Sequence, residues 1–298
     1  MQRQRPTPDP RFVFQPESDA EYRHFAGHEA VPFTPRARAV TRANAWWLAE
    51  AALLAYWDAG QATARFAAAG LTAEPVAEGE TQGYLAFNDD VVLVAFRGTE
   101  ADRFGDLFDD ARFGLVGWAH GLVHEGFRDA LDRVWARLSD RLAHLASSRA
   151  VWFSGHSLGA ALATLAGDRF ADTAGVCTIG SPRVGDRRFA AAFDHRFGAR
   201  AVRYVNDTDV VTHVPPPFPL PYAHVGDLRH ITPDGRVTTQ APSLAHFVRD
   251  VFGDVGHLQD VVAAMRSGAV RRAPDFFLDH MPRGYTVDLW NDHDAHGG

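Results

Sequence analysis

Residues 151–163 read VWFSGHSLGAALA, a hydrophobic run ending in a serine that is fenced by Gly155 and Gly159 and followed by small residues. A buried strand that turns sharply into a helix pushes one side chain out at the tip, and that residue takes a strained backbone conformation. Positions two before and two after it come so close to the turning chain that a Cβ would collide, and glycine relieves the crowding. Gly155-His156-Ser157-Leu158-Gly159 therefore reads as a nucleophile elbow, with Ala160 and Ala161 letting the helix sit close to the sheet. The device presents the Ser157 hydroxyl at a helix N-terminus. There the Leu158 N–H has no intrahelical acceptor and the dipole favours developing negative charge.

The same pattern extends to both sides of the elbow. VVLVAF at 91–96 is apolar throughout, as expected of a strand covered on both faces, and Asn88-Asp89-Asp90 joins it to GYLAF at 83–87 in a hairpin. GVCTIG at 175–180 and AVRYVN at 201–206 read as further strands. LRHIT and RVTT form a short pair around Pro233-Asp234-Gly235. Helical periodicity covers 38–69, with Trp46, Trp47, Leu53 and Trp57, then 121–148, 158–171 and 243–267. Strands alternating with helices predict an α/β fold with a mostly parallel central sheet flanked by helices on both faces. Residues 1–35 carry Pro6, Pro8, Pro10, Pro16, Pro32 and Pro35 and read as an extended arm wrapping the surface. Residues 36–285 read as a single domain, and 286–298, ending in NDHDAHGG, as a solvated tail.

Composition narrows the chemistry. The 298 residues are 46% hydrophobic and 22% charged, enough apolar surface for a sizeable core. A formal charge of -7 argues against a nucleic-acid partner bound over a broad basic face. There is no lysine, so all 30 basic residues are arginine, which excludes a Walker-type phosphate loop and a Schiff-base cofactor. Cys177 is the sole cysteine and sits in an apolar run, so neither an internal disulfide nor a cysteine-built metal site is expected. Neither a secretory signal nor a run of about 20 apolar residues stands in the sequence, and the expected location is cytoplasmic, or secreted if a leader has been removed.

A serine alone is a weak nucleophile; it needs a base to take its proton and a third group to orient that base. On such a sheet the partners follow in the order serine, acid, histidine. AVRYVN is followed by Asp207 and Asp209. Asp209 is preferred, because Asp207 sits in a turn-like Asn-Asp-Thr, but spacing leaves both open. His156 adjoins the serine and points away from it. Among later histidines, His213 and His224 lie in a proline-flanked loop, His230 in a strand, His246 and His257 in helical pattern, and His293 and His296 in the tail. His280, in FFLDHMPRGY after the last helical pattern, stands where a loop-borne base belongs.

With these residues in hand, the chain resembles the class 3 lipases, the fungal-type triacylglycerol lipase family of the α/β-hydrolase fold. FRGTE (96–100), VHEGF (123–127), SGHSLGAALATLAG (154–167), NDTDVVTHVPP (206–216) and the terminal Asp279-His280 with Tyr285 carry the likeness, in the family's order. The resemblance implies a triad of Ser157, Asp209 and His280, and an oxyanion hole from Thr99, after Arg-Gly, and Leu158. It also implies acylglycerol-like substrates, transient contact with a lipid surface, and neither metal nor cofactor. Phospholipase A1, feruloyl esterase and acyltransferase activities share the same triad, and a binding protein without turnover is the non-enzyme alternative. Residues 100–118, with Phe104, Leu107, Phe108, Phe113 and Leu115, fall where the family carries a lid, and read equally as a lid or as a fixed cover. The proline-aromatic loop 214–222 reads as a wall of the acyl pocket.

Overall fold

Side chains alternate across each buried strand, and the alternation sets the layers. Along β3 (Val91–Phe96) every residue is buried: Val91, Leu93 and Ala95 enter one core, Val92, Val94 and Phe96 the other. In β6 (Ala150–His156) Trp152 faces the first core while Val151 and Phe153 face the second. This period of two with both faces apolar is what a central parallel strand requires. The structure, a computed structural model, describes residues 1–7, 11–18, 21–98, 114–218, 220–240 and 278–297.

The main sheet runs β1-β2-β3-β6-β7-β9-β11-β12, adding β1 (Thr72–Glu78), β2 (Thr81–Phe87), β7 (Thr173–Ile179), β9 (Ala201–Asn206), β11 (Asp227–Ile231) and β12 (Val237–Thr238). Strands β3, β6, β7, β9 and β11 pair in parallel. The hairpin from 83 to 96 and the edge pair β11–β12 are antiparallel, as expected. A second, antiparallel sheet, β10-β8-β5-β4, was not foreseen. It joins β4 (Leu115–Gly117), β5 (Leu122–His124), β8 (Gly185–Asp186) and β10 (Tyr222–Ala223), strands of two or three residues that leave no periodic signal.

Beyond a single turn, α1 (Arg11–Phe14), the helical stretch expected over 38–69 is two helices, α2 (Arg42–Leu54) and α3 (Ala59–Ala68). Thr41 caps the first by accepting from Asn44 N–H at 3.0 Å, and Asp58 caps the second by accepting from Gln61 N–H at 3.0 Å, so Asp58 marks the break. Helix α4 (Glu125–Leu145) buries Phe127, Leu131, Val134, Leu138, Leu142 and Leu145, one stripe at helical spacing, against the second core. It starts at 125 because 122–124 pair into the small sheet. Helix α5 (Leu158–Arg169) follows the elbow, and α6 (Arg187–Phe197), missed by the sequence reading, is capped by Asp186.

Two expectations for the ends need correction. Residues 286–295 are not a solvated tail: they belong to α7 (Pro282–Ala295), which packs along α2 and buries Tyr285, Thr286, Val287, Asp288 and Leu289. Residues 1–35 do more than wrap the surface, since Phe25 and Val31 join the first core. The helix expected over 243–267 lies outside the described residues.

Candidate active site

Ser157 stands between β6 and α5 with φ 58 and ψ -128, in the left-handed region where a non-glycine residue is strained. The flanking glycines explain how the chain accommodates it. A Cβ on Gly155 would lie 2.2 Å from the Gly159 carbonyl oxygen, and one on Gly159 would lie 2.2 Å from the Phe96 carbonyl oxygen. The elbow is thus wedged against its own helix and against the end of β3. Leu158 opens α5, so its N–H is free of intrahelical partners. Gly98 also lies against the serine, where an added Cβ would sit 3.0 Å from Ser157 Cβ. Thr99, expected to give the other oxyanion donor, lies just outside the described residues, as do 100–113 of the expected lid.

The two candidate acids have different partners. Asp209 is fully buried and accepts from His280 Nδ1 at 2.8 and 2.9 Å, from Val211 N–H at 2.9 Å and from the Tyr285 hydroxyl at 2.5 Å. Asp207 instead forms the turn, with φ 37 and its N–H donated to the Ile231 carbonyl at 2.8 Å. Tyr285 is itself held by Asn206 N–H at 2.9 Å, and burial, reinforced by the Asp209 charge, pushes its phenol pKa well up, so it stays a donor. With Nδ1 bonded to a carboxylate, the proton of the neutral His280 imidazole belongs on Nδ1 and the lone pair on Nε2.

One strand end brings the elbow and this pair together. Ser157 N–H donates to the Ile179 carbonyl at 3.1 Å. At the next residue, Gly180, an added Cβ would fall 2.9 Å from Asp209 Oδ2 and 3.0 Å from His280 Nδ1 and Cε1. Ser157 and His280 are each 1% exposed, and Ser157 Oγ hydrogen-bonds to none of the described residues.

His156 proves to be a brace. Its Nε2 lies 2.8 Å from the His280 carbonyl oxygen, which can only accept, so Nε2 carries the proton and Nδ1 accepts from the Tyr56 hydroxyl at 2.8 Å. Burial, with the His280 charge second, pushes its pKa well below the usual range, and its ring stands 4.3 Å from that of His280. Both nitrogens are engaged, which removes His156 as a base. The other histidines are placed elsewhere. His224 Nε2 bonds the Thr212 carbonyl at 2.7 Å, burial brings His213 down to about 4, His230 bonds the Asp207 carbonyl, His293 lies in the last turn of α7 and His296 just past its end. His246 and His257 are outside the described residues. Sequence reading missed the bracing partnership of Tyr56 and the close packing at Gly180; the only hint of the latter was a glycine ending a strand. Cys177 is buried, and burial pushes its thiol up to about 12, as an inert core thiol requires.

Loop 214–222 is pinned at its base by Arg183, whose N–H donates to the Val214 carbonyl at 2.7 Å and whose guanidinium donates to the Pro215 carbonyl at 2.9 Å. From it Phe218 projects into solvent, 82% exposed. Among the described residues, no group of three or more His, Cys, Asp or Glu side chains could hold a metal ion, and no helix is long and apolar enough to cross a membrane.

Comparison with known proteins finds similarity to lipases and a phospholipase A1. A family model described as Lipase (class 3) matches residues 93–218, which takes in the elbow and Asp209. A lipase from Caenorhabditis elegans is 31% identical over 154 residues, 45% of this chain and 41% of the relative. A phospholipase A1-II from Oryza sativa subsp. japonica is 31% identical over 194 residues, 50% of this chain and 48% of the relative. The chain thus spans less than half the length of these two curated relatives. Among solved structures, lipase II from Rhizopus niveus superposes with a TM-score of 0.51 at 25% identity, covering 65% of this chain and 82% of that one.

Proposed function

We propose that this chain, which belongs to the class 3 lipase family of the α/β-hydrolase superfamily, hydrolyses carboxylic esters of lipids through an acyl-serine intermediate. Ser157 Oγ attacks the ester carbonyl carbon while His280 Nε2 takes the hydroxyl proton. The carbonyl π pair moves onto oxygen, where Leu158 N–H and Thr99 receive it. Collapse breaks the bond to the leaving alkoxide, which departs as an alcohol with the proton from His280. Water repeats the sequence against the acyl-serine, and the fatty acid leaves. Asp209 steadies the imidazolium and holds its Nδ1–H tautomer.

The observation that carries this reading is the buried Asp209–His280 pair packed on Gly180, one residue past the carbonyl that anchors Ser157. A fluorophosphonate probe tests it, and should label the wild type but not Ser157→Ala. His280→Ala should lower hydrolysis of p-nitrophenyl butyrate by about 10⁴-fold or more, while His224→Ala keeps most of it. Labelling of Ser157→Ala equal to wild type would discard the mechanism.

The substrate is expected to be acylglycerol-like and met at a lipid surface, a reading supported by Phe218 at the tip of an anchored loop beside the Asp209 turn. The rice relative favours a second substrate, a phospholipid cleaved at a glycerol ester. Triolein and phosphatidylcholine assayed side by side separate the two.

A further inference from the structure

The turn that carries Asp209 is strained at Asp207, whose φ of 37 lies in the left-handed region. Bonds within its own strand neighbourhood hold part of it: Asp207 N–H to the Ile231 carbonyl at 2.8 Å, and Asp209 N–H to the Asn206 carbonyl at 2.9 Å. Neither bond ties the turn to the histidine. Besides the Asp209–His280 bonds themselves and Tyr285, a further tie comes from Asp279, the residue immediately before His280. Its Oδ2 accepts from Thr208 N–H at 3.1 Å and from the Thr208 hydroxyl at 2.8 Å, and its carbonyl accepts from Asn206 Nδ2 at 2.9 Å. One carboxylate oxygen thus takes both donors of the single residue between Asp207 and Asp209.

We propose that Asp279 is a positioning residue for the Asp209–His280 pair: through Thr208 it registers the turn bearing the acid against the loop bearing the imidazole. The proposal rests on the serine-hydrolase reading above and adds to it a part that acts without touching substrate. A carboxyl group is a costly way merely to fill space here. Burial first, then the charges of Asp207 and Asp209, push Asp279 up to about 7 against the opposing pull of Thr208. The groups that face it are those two aspartates, Arg5 from the N-terminal arm, and Tyr285 from α7. No cation is hydrogen-bonded to it among the described residues, so its acceptor oxygen is spent on Thr208 and its backbone on Asn206. A displacement of about 1 Å between base and acid is enough to cost a triad on the order of a hundredfold.

The test measures kcat and KM for p-nitrophenyl butyrate, fluorophosphonate capture of Ser157, and thermal melting. The proteins are wild type, Asp279→Ala, Asp279→Asn and Thr208→Val, with the core variant Leu138→Ala in α4 as a stability control. Asp279→Ala should lower kcat by about tenfold or more with KM within about twofold, and slow capture in parallel. Asp279→Asn keeps an acceptor for Thr208 and should return to within about threefold of wild type, with Thr208→Val in between. Leu138→Ala should melt early yet keep its kcat. Asp279→Ala with wild-type kcat overturns the proposal, as does Asp279→Asn no better than Asp279→Ala. If Asp279→Ala does not fold, Thr208→Val with undiminished kcat overturns it alone. Wild type turning over no faster than Ser157→Ala would instead sink the hydrolase reading itself, a result distinct from these.

Discussion

Ser157 and Gly159 make opposite demands on the same turn. Ser157 holds its strained φ with a Cβ in place, so Ser157→Ala changes chemistry and leaves the backbone as it is. Gly159→Ala would drive a methyl to 2.2 Å from the Phe96 carbonyl oxygen of β3, which sheet pairing holds in place, while Gly159 itself sits in the first turn of α5. Gly159→Ala should therefore lose about 3 kcal/mol or more of folding stability, read as a fall in the urea midpoint, while Ser157→Ala unfolds with wild type. Equal midpoints for the two would show the wedge to be loose. Asp279 gives a second residue-scale expectation, in pH. Its pKa rises from 3.8 in the unfolded chain to about 7 in the fold, so the native state holds this proton more tightly. The stability it contributes is complete below about pH 4 and is lost as pH rises through about 7. Asp279→Asn lacks that dependence, and between pH 4 and 8 it should gain up to about 4 kcal/mol relative to wild type in chemical unfolding. A parallel pair of stability curves would contradict the raised pKa.

At the scale of elements, α7 shows what patterning reveals and what it hides. The elbow was legible because glycine spacing is a local steric requirement, and the candidate triad was named from chain order and the motif likeness. Spacing left the acid open; of the two candidates, Asp209 is the one hydrogen-bonded to His280, while Asp207 forms the turn. Helix α7 was read as irregular because its buried positions include Thr286 and Asp288, which break an apolar stripe. Their burial makes sense only through distant partners. Asp288 receives Arg5 Nε at 2.6 Å and Nη2 at 2.7 Å from the far end of the chain, and Arg5 also donates to the Pro233 carbonyl at 2.6 Å. Arg3 adds a guanidinium 3.9 Å over the Trp290 ring. Sequence periodicity cannot register a pairing 283 residues apart. Because α7 begins just after His280 and carries Tyr285, the arm supports the site from behind. Arg5→Ala strands the Asp288 carboxylate, which burial already raises, and should cost about 1–3 kcal/mol after allowing for the partial exposure of Arg5. Arg5→Ala combined with Asp288→Leu should recover most of that loss in melting temperature. A double variant no better than the single would remove the stranded charge as the cause.

Across the whole molecule, the large apolar side chains left in solvent are not scattered. Apart from Met1, those exposed among the described residues are Leu122, Phe218 and Leu220, all on the small sheet or the loop that feeds its strand β10. That loop continues from the Asp209 turn and is pinned at its base by Arg183, and Phe218 stands out from it into solvent. A chain of net charge -7 gains little from an anionic surface, and the apolar tip suits a neutral one such as a triacylglycerol droplet. Transferring one phenylalanine side chain into such a surface is worth about 2 kcal/mol, on the order of thirtyfold in partitioning. Phe218→Ser should therefore lower hydrolysis of emulsified triolein at limiting interface by about tenfold, while turnover of dissolved p-nitrophenyl butyrate stays within about twofold of wild type. Vesicle flotation should show the same loss of binding, with neutral or zwitterionic lipid retaining wild type better than anionic lipid at low salt. Equal losses on dissolved and emulsified ester would place Phe218 in the acyl pocket instead, and equal activity on both would leave the tip with no part in meeting the lipid.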